Sequence, residues 1–154
     1  MDWNETATIE TLPYFVSKIM AERAAWEMAD TSPFKLVVVN PGFVLGPPVP
    51  AYSGDMGTSI STIKDIVTKG ENFQLLSGGM AVVDVRDVAR AHIAAMEIEE
   101  ATGRHICVGS MVTWTAMAKT LKSLFPHHNV ANQYPEDEGV PPYFDTSKIR
   151  KAFG

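Results

Sequence analysis

The hydrophobic positions of this 154-residue chain change period several times along its length, and each change predicts an element. Residues 14–29 (YFVSKIMAERAAWEMA) are rich in strong helix formers with no internal Gly or Pro, and Pro13 sits where a first helical turn tolerates it, which makes this the clearest predicted helix. It is expected to end near Asp30, with Pro33 beyond. Residues 35–39 (KLVVV) follow as a continuous apolar run, not an alternating one, and predict a strand covered on both faces, as parallel strands flanked by helices are. Asn40-Pro41-Gly42 is expected to stop it. Residues 58–69 carry Ile60, Ile63, Ile66 and Val67 at helical spacing, residues 72–76 suggest a short strand, and residues 81–85 form another apolar run. Asp84 and Asp87 offer caps for a helix over residues 88–99, with Gly103 behind it as a terminator. Residues 104–108 (RHICV) read as a strand. Residues 113–125 read as a helix with Trp114, Met117, Leu121 and Leu124 on one stripe, and residues 146–153 as a short final helix after an acidic, proline-rich tail.

Strands alternating with helices predict an α/β architecture with a largely parallel sheet. Residues 46–57 (GPPVPAYSGDMG) form a loop long enough to suit a binding role. The charge balance, 13 Lys and Arg against 18 Asp and Glu, gives −5 and lacks the basic footprint of a nucleic-acid reader. With 45% hydrophobic and 20% charged residues a packed core is expected. No apolar run approaches the ~18 residues of a membrane-spanning helix, so a soluble protein with no membrane partner is expected. Cys107 is alone, which excludes an intramolecular disulfide. His92, His105, His127 and His128 show no metal-ligand spacing, and no metal site is expected. Residues 1–13 are acidic and polar, without the basic start and apolar stretch of a secretory signal, so a cytoplasmic location is expected.

On the first helix Tyr14 and Lys18 are four residues apart, hence one turn apart on one face. A phenol holds its proton at neutral pH, but a neighbouring cation favours the phenolate, so the pair is suited to moving a proton. The spacing alone equally suits a packed Tyr beside a solvated Lys. Glu97, Glu99 and Glu100 read as a solvated face, and Glu136, Asp137 and Glu138 as a tail that either repels anionic ligands or simply keeps the chain soluble. Tyr52, Phe73, Met80 and Tyr143 lie in or near irregular segments that suit either a pocket border or plain packing.

The string Tyr14-Phe-Val-Ser-Lys18, continuing to Trp26, resembles the Tyr-x-x-x-Lys helix of extended short-chain dehydrogenases/reductases, within the NAD-dependent epimerase/dehydratase superfamily. The dihydroflavonol reductase and cinnamoyl-CoA reductase branch is the most similar. Val37 to Pro47 (VVVNPGFVLGP) is similar to that family's Pro-x-x-Val-x-Gly-Pro segment, and residues 83–92 (VDVRDVARAH) and 103–107 (GRHIC) match its later segments in the same order. The resemblance implies a Rossmann-like doubly wound fold and NADP- or NAD-dependent reduction of an aldehyde or ketone, of dihydroflavonol or cinnamoyl type. It implies Tyr14 as proton donor, and Lys18 as its electrostatic partner and a ligand of the nicotinamide ribose. Tyr14, Lys18, Pro41, Gly42, Phe43 and Val44 would contact the cofactor, NADP being favoured over NAD.

Two family features have no counterpart here. No G-x-G-x-x-G or related turn occurs, and no Ser among residues 1–13 can stand for the family's carbonyl-polarising serine; Ser17 lies inside the helix motif. The chain therefore reads as one partial domain over residues 1–154, the C-terminal part of a reductase. Residues 1–45 and 81–100 would be Rossmann-side, and residues 46–80 and 101–154 substrate-side. Alone it is expected to be inactive. An open strand edge and apolar helix faces would favour a homo-oligomer or association with a glycine-rich N-terminal half. The rival reading is a non-catalytic interaction module built from the same surfaces.

Overall fold

A computed structural model describes residues 3–47 and 57–154. Five helices and five strands alternate through them: α1 (Pro13–Asp30), β1 (Val37–Pro41), β2 (Phe43–Leu45), α2 (Gly57–Thr68), β3 (Gly79–Asp84), α3 (Val85–Glu97), β4 (Gly103–Cys107), β5 (Ser110–Thr113), α4 (Trp114–Leu124) and α5 (Ser147–Phe153). β1 and β4 pair in parallel, Val37 opposite Gly103 through Pro41 opposite Cys107. The second sheet has the order β2-β3-β5, parallel between β2 and β3 and antiparallel between β3 and β5. The expected α/β architecture with parallel pairing is present.

The local reasons are visible in the sequence. Pro13 opens α1 at a position whose N–H has no helical partner. The Asp84 carboxylate accepts from the Arg86 N–H at 2.8 Å and caps α3, which begins at Val85, three residues before the predicted start. Asp87 lies in the first turn and is not the cap. Thr113 caps α4 by accepting from the Ala116 N–H at 3.0 Å. Gly42 is the one residue between β1 and β2. Its N–H still donates to the Cys107 carbonyl at 3.1 Å, and a Cβ on it would collide with the Ala81 carbonyl oxygen, so only glycine lets the chain cross between sheets this close to β3.

Two apolar clusters form the interior. Ile66, Leu75, Ala118, Val130 and Ala131 pack between α2 and α4, with Ile63, Phe73, Trp114 and Leu121 around them. Val83, Ala91 and Cys107 pack beneath α3 and α5, joined by Val39, Val44, Val88, Ile149 and Phe153.

Several expectations need correction. Residues 72–76 are not a strand: Gly70–Asn72 is a single 3-10 turn and Gln74 makes one bridge to Gln133, because Leu75 is held by the first cluster and not by a ladder. Asn40 and Pro41 stay in β1, and the stop falls at Gly42. Val37, Val38 and Val39 are half-buried rather than covered on both faces, since among the described residues α3 is the helix that packs closely on β1. α1 buries none of its 18 residues. Among the described residues no helix is long and apolar enough to cross a membrane.

Candidate active site

α1 presents Tyr14 and Lys18 along one face, and the Lys18 ammonium stands 5.3 Å from the Tyr14 ring centroid. Tyr14 also meets the Phe15 ring edge to face, centroids 5.8 Å apart, and remains two-thirds exposed at 66%. The Ser17 hydroxyl donates to the Tyr14 carbonyl at 2.7 Å, so it is committed to the helix backbone.

Tyr14 and Phe15 form one wall of a cleft of about 570 Å³. The opposite wall is Asn40 to Phe43, where β1 passes into β2, and Met80 and Ala81 of β3 adjoin it. Thr58 and Ser59 from the start of α2, and Pro142 and Phe144 from the segment before α5, complete the lining. Phe144 is tied back by its N–H to the Met111 sulfur at 3.4 Å. Among the described residues lining this cleft, Tyr14 is the one side chain with a titratable proton. An apolar cavity of about 440 Å³ between α2 and α4 offers Thr120 as its polar side chain and no titratable one. A smaller cleft under α3 and α5 contains Cys107, but burial pushes that thiol up, aided by the Asp87 charge, so it stays protonated and unreactive. Among the described residues, a phenol beside an uncharged, largely apolar space is found at Tyr14.

Of the expected site residues, Tyr14, Pro41, Gly42 and Phe43 share the cleft. Lys18 does not line it; its ammonium stands over the Tyr14 ring. Val44 turns the other way, as strand alternation requires, and packs in the second cluster beneath α3. Met80 lines the cleft, Phe73 packs against the first cluster, Tyr143 is exposed at 83%, and Tyr52 lies outside the described residues.

The anchor of α1 was not anticipated. The Glu22 carboxylate, two turns beyond Tyr14, accepts from Arg104 Nε at 2.5 Å and Nη2 at 3.0 Å, from Asn40 Nδ2 at 3.2 Å and from Trp26 Nε1 at 3.2 Å. Burial pushes this carboxyl up, but the Arg104, Trp26 and Asn40 hydrogen bonds and the Arg104 charge outweigh it, leaving it below the usual glutamate range. The Arg104 guanidinium also lies over the Trp3 ring, 4.3 Å from its centroid, and Arg23 stands 5.0 Å from the same ring. A charged residue inside the predicted strand RHICV was the one available signal, since such a group needs a partner.

A profile of the NAD dependent epimerase/dehydratase family matches residues 4–109. The chain is 32% identical over 142 residues to cinnamoyl-CoA reductase CAD2 of Medicago truncatula, covering 92% of this chain and 42% of that protein. It is 35% identical over 132 residues to an anthocyanidin reductase of Arabidopsis thaliana, covering 83% of this chain and 39% of that protein. Among solved structures, Gre2 of Candida albicans in complex with NADPH superposes with a TM-score of 0.79 at 29% identity, covering 99% of this chain and 50% of that one. The chain thus spans about two fifths of the length of these curated relatives.

Proposed function

Because the chain belongs to the NAD-dependent epimerase/dehydratase family, we propose that its cleft delivers the proton in an NADP(H)-dependent reduction of an aldehyde or ketone. The observation that carries this reading is that Tyr14 is the titratable group in a cleft otherwise lined by uncharged side chains. The names of the relatives, a cinnamoyl-CoA reductase and an anthocyanidin reductase, support a flat aromatic or flavonoid-like substrate, and Phe15, Phe43, Met80 and Phe144 offer matching surfaces.

The residues present fit the nicotinamide end of such a cofactor. Tyr14 and Lys18 offer donors to the ribose hydroxyls, and the Pro41-Gly42-Phe43 corner offers a flat apolar face. Val44 is left out, because it faces away from the cleft. Nothing in the 154 residues matches a glycine-rich pyrophosphate turn. The bound reduced nicotinamide supplies hydride. The Tyr14 hydroxyl donates its proton to the carbonyl oxygen, and the Lys18 ammonium stabilises the charge left on the phenolic oxygen. The apolar walls offer the carbonyl substituents a surface of low polarity beside the phenol.

The test adds the purified chain, which alone is expected to be inactive, to a glycine-rich N-terminal reductase half, following NADPH oxidation by aromatic aldehydes, with emission from Trp26 and Trp114 reporting association. Turnover that falls by about 10²- to 10⁴-fold in Tyr14→Phe supports the reading. Association with that half but no turnover above the half alone would instead support a non-catalytic module.

A second reading is favoured by a separate observation. α1 has no fully buried residue, Met20 and Met28 are each 63% exposed, and among the described residues β1 has a strand partner on one side alone. Such a face suits association with a second copy or with a polypeptide that carries a glycine-rich half.

A further inference from the structure

α1 carries Tyr14 and Lys18, and the apolar stripe that seats it, Val16, Ile19, Ala25, Trp26 and Ala29, is only half-buried, with no residue fully buried. Its directional anchor is Glu22, whose side chain is only 12% exposed and which is reached from α1 itself, from the end of β1 and from β4. The β1 donor, Asn40, is also part of the cleft wall beside Pro41.

We propose that Glu22 is a positioning residue for Tyr14: it fixes the roll and tilt of α1 over β1 and holds the Asn40 amide in the cleft wall, and so sets where the phenol stands against the Pro41–Phe43 corner. The proposal rests on Tyr14 being the proton donor. Apolar contact is non-directional and lets a helix slide or roll at little cost, whereas a forked guanidinium on a carboxylate, with two further donors, defines one orientation. Glu22 and Tyr14 are eight residues apart, a lever of about 12 Å at ~1.5 Å per residue. A tilt of about 5° about Glu22 therefore moves the phenol by about 1 Å, a displacement on the order of that which costs 10²-fold in a proximity-dependent step. Arg104 is in turn held over Trp3, so the anchor does not swing with its own long side chain.

The test compares the parent chain with Glu22→Gln, using ring-labelled tyrosine and amide hydrogen exchange. Glutamine keeps the volume but loses the charge and turns an amide N–H₂ toward the Arg104 fork. The expected result is a Tyr14 ring signal that splits or broadens, while those of Tyr134 and Tyr143 hold still and α1 amides exchange about tenfold faster or more with α4 unchanged. An unchanged Tyr14 signal would overturn the proposal. So would all three rings and α4 moving together, which marks general loss of stability. If Glu22→Gln does not fold, Arg104→Lys keeps the charge, loses the fork and is expected to give the same Tyr14-selective change; no change there also overturns the proposal. Neither readout involves turnover, so failure here is distinct from a failure of Tyr14→Phe to abolish reduction.

Discussion

The His105 imidazole lies against the Phe153 ring, centroids 4.5 Å apart, and joins the second core cluster's strand β4 to the last helix, α5. His105 is 1% exposed; its Nε2 meets the Thr102 carbonyl oxygen at 3.1 Å, while its Nδ1 has no partner among the described residues. Nε2 therefore carries the proton and Nδ1 is a bare buried acceptor. Burial pulls the pKa of this ring below its ordinary 6.5, and the Lys148 charge pulls the same way against the Thr102 carbonyl. The unfolded chain then binds the proton more readily than the folded one, so stability is full above 6.5 and declines as pH falls below it toward the lowered folded value. Thermal midpoints measured across that window are expected to drop on acidification in the parent and to run flat in His105→Leu. A parallel decline in both would sink the assignment to this ring.

Lys18 tests the electrostatic half of the proton-transfer reading separately from the donor. Its side chain is exposed and sits above the Tyr14 ring, so Lys18→Met is expected to leave the thermal midpoint nearly unchanged, within about 0.5 kcal/mol of stability. Carbonyl turnover should nevertheless fall by roughly 10²-fold, because charge developing on the phenolic oxygen loses its fixed counter-ion. Equal turnover in parent and variant, at saturating coenzyme, would assign Lys18 to the solvated surface.

Gly42 marks where β1 leaves one sheet and β2 joins the other. A Cβ there would meet the Ala81 carbonyl oxygen and stand 3.2 Å from the Val108 Cγ2, and the first of these is backbone that cannot rotate away. Gly42→Ala is expected to cost about 1–3 kcal/mol, read from denaturant midpoints, through overpacking rather than backbone conformation. Gly57→Ala is the contrast. Its φ of +67° strains any side chain, but no atom of the described residues stands within 4 Å of the added carbon, so a distorted cleft accompanies the first variant only.

Which parts were legible in the chain follows from how local each cause is. α1 is written in Pro13 and the helix formers behind it, and α4 in the Trp114, Met117, Leu121 stripe with Thr113 ahead of it. The strands β2 and β5, three and four residues long, were not, because they are too short for an alternation and exist only where Gly42 and Gly109 pass the chain between sheets. The Tyr14 and Lys18 pair was legible because four-residue spacing sets a helical face. The Glu22 to Arg104 contact joins positions 82 residues apart and leaves no periodic trace. Helix propensity likewise announces α1 without saying what covers it, which is why its lack of buried residues came only from the structure.

The exposed face of α1 is expected to be a contact surface. Met20 and Met28 lie on α1, far along it from the cleft, and each exposes 63% of its surface. Exposed methionines are flexible and polarisable, and they adapt to a partner surface more readily than branched side chains do. β1 also offers backbone groups along an edge with no strand neighbour among the described residues. Paired replacement Met20→Glu with Met28→Glu adds two charges to a chain already at −5 and would place carboxylates in any apolar contact made through this face. Sedimentation over a range of concentrations is expected to show the parent chain self-associating and the paired variant shifted toward the monomer, with unchanged helix content by circular dichroism. A parent that stays monomeric at high concentration, or a variant that associates as strongly as the parent, would place any self-association elsewhere than on α1.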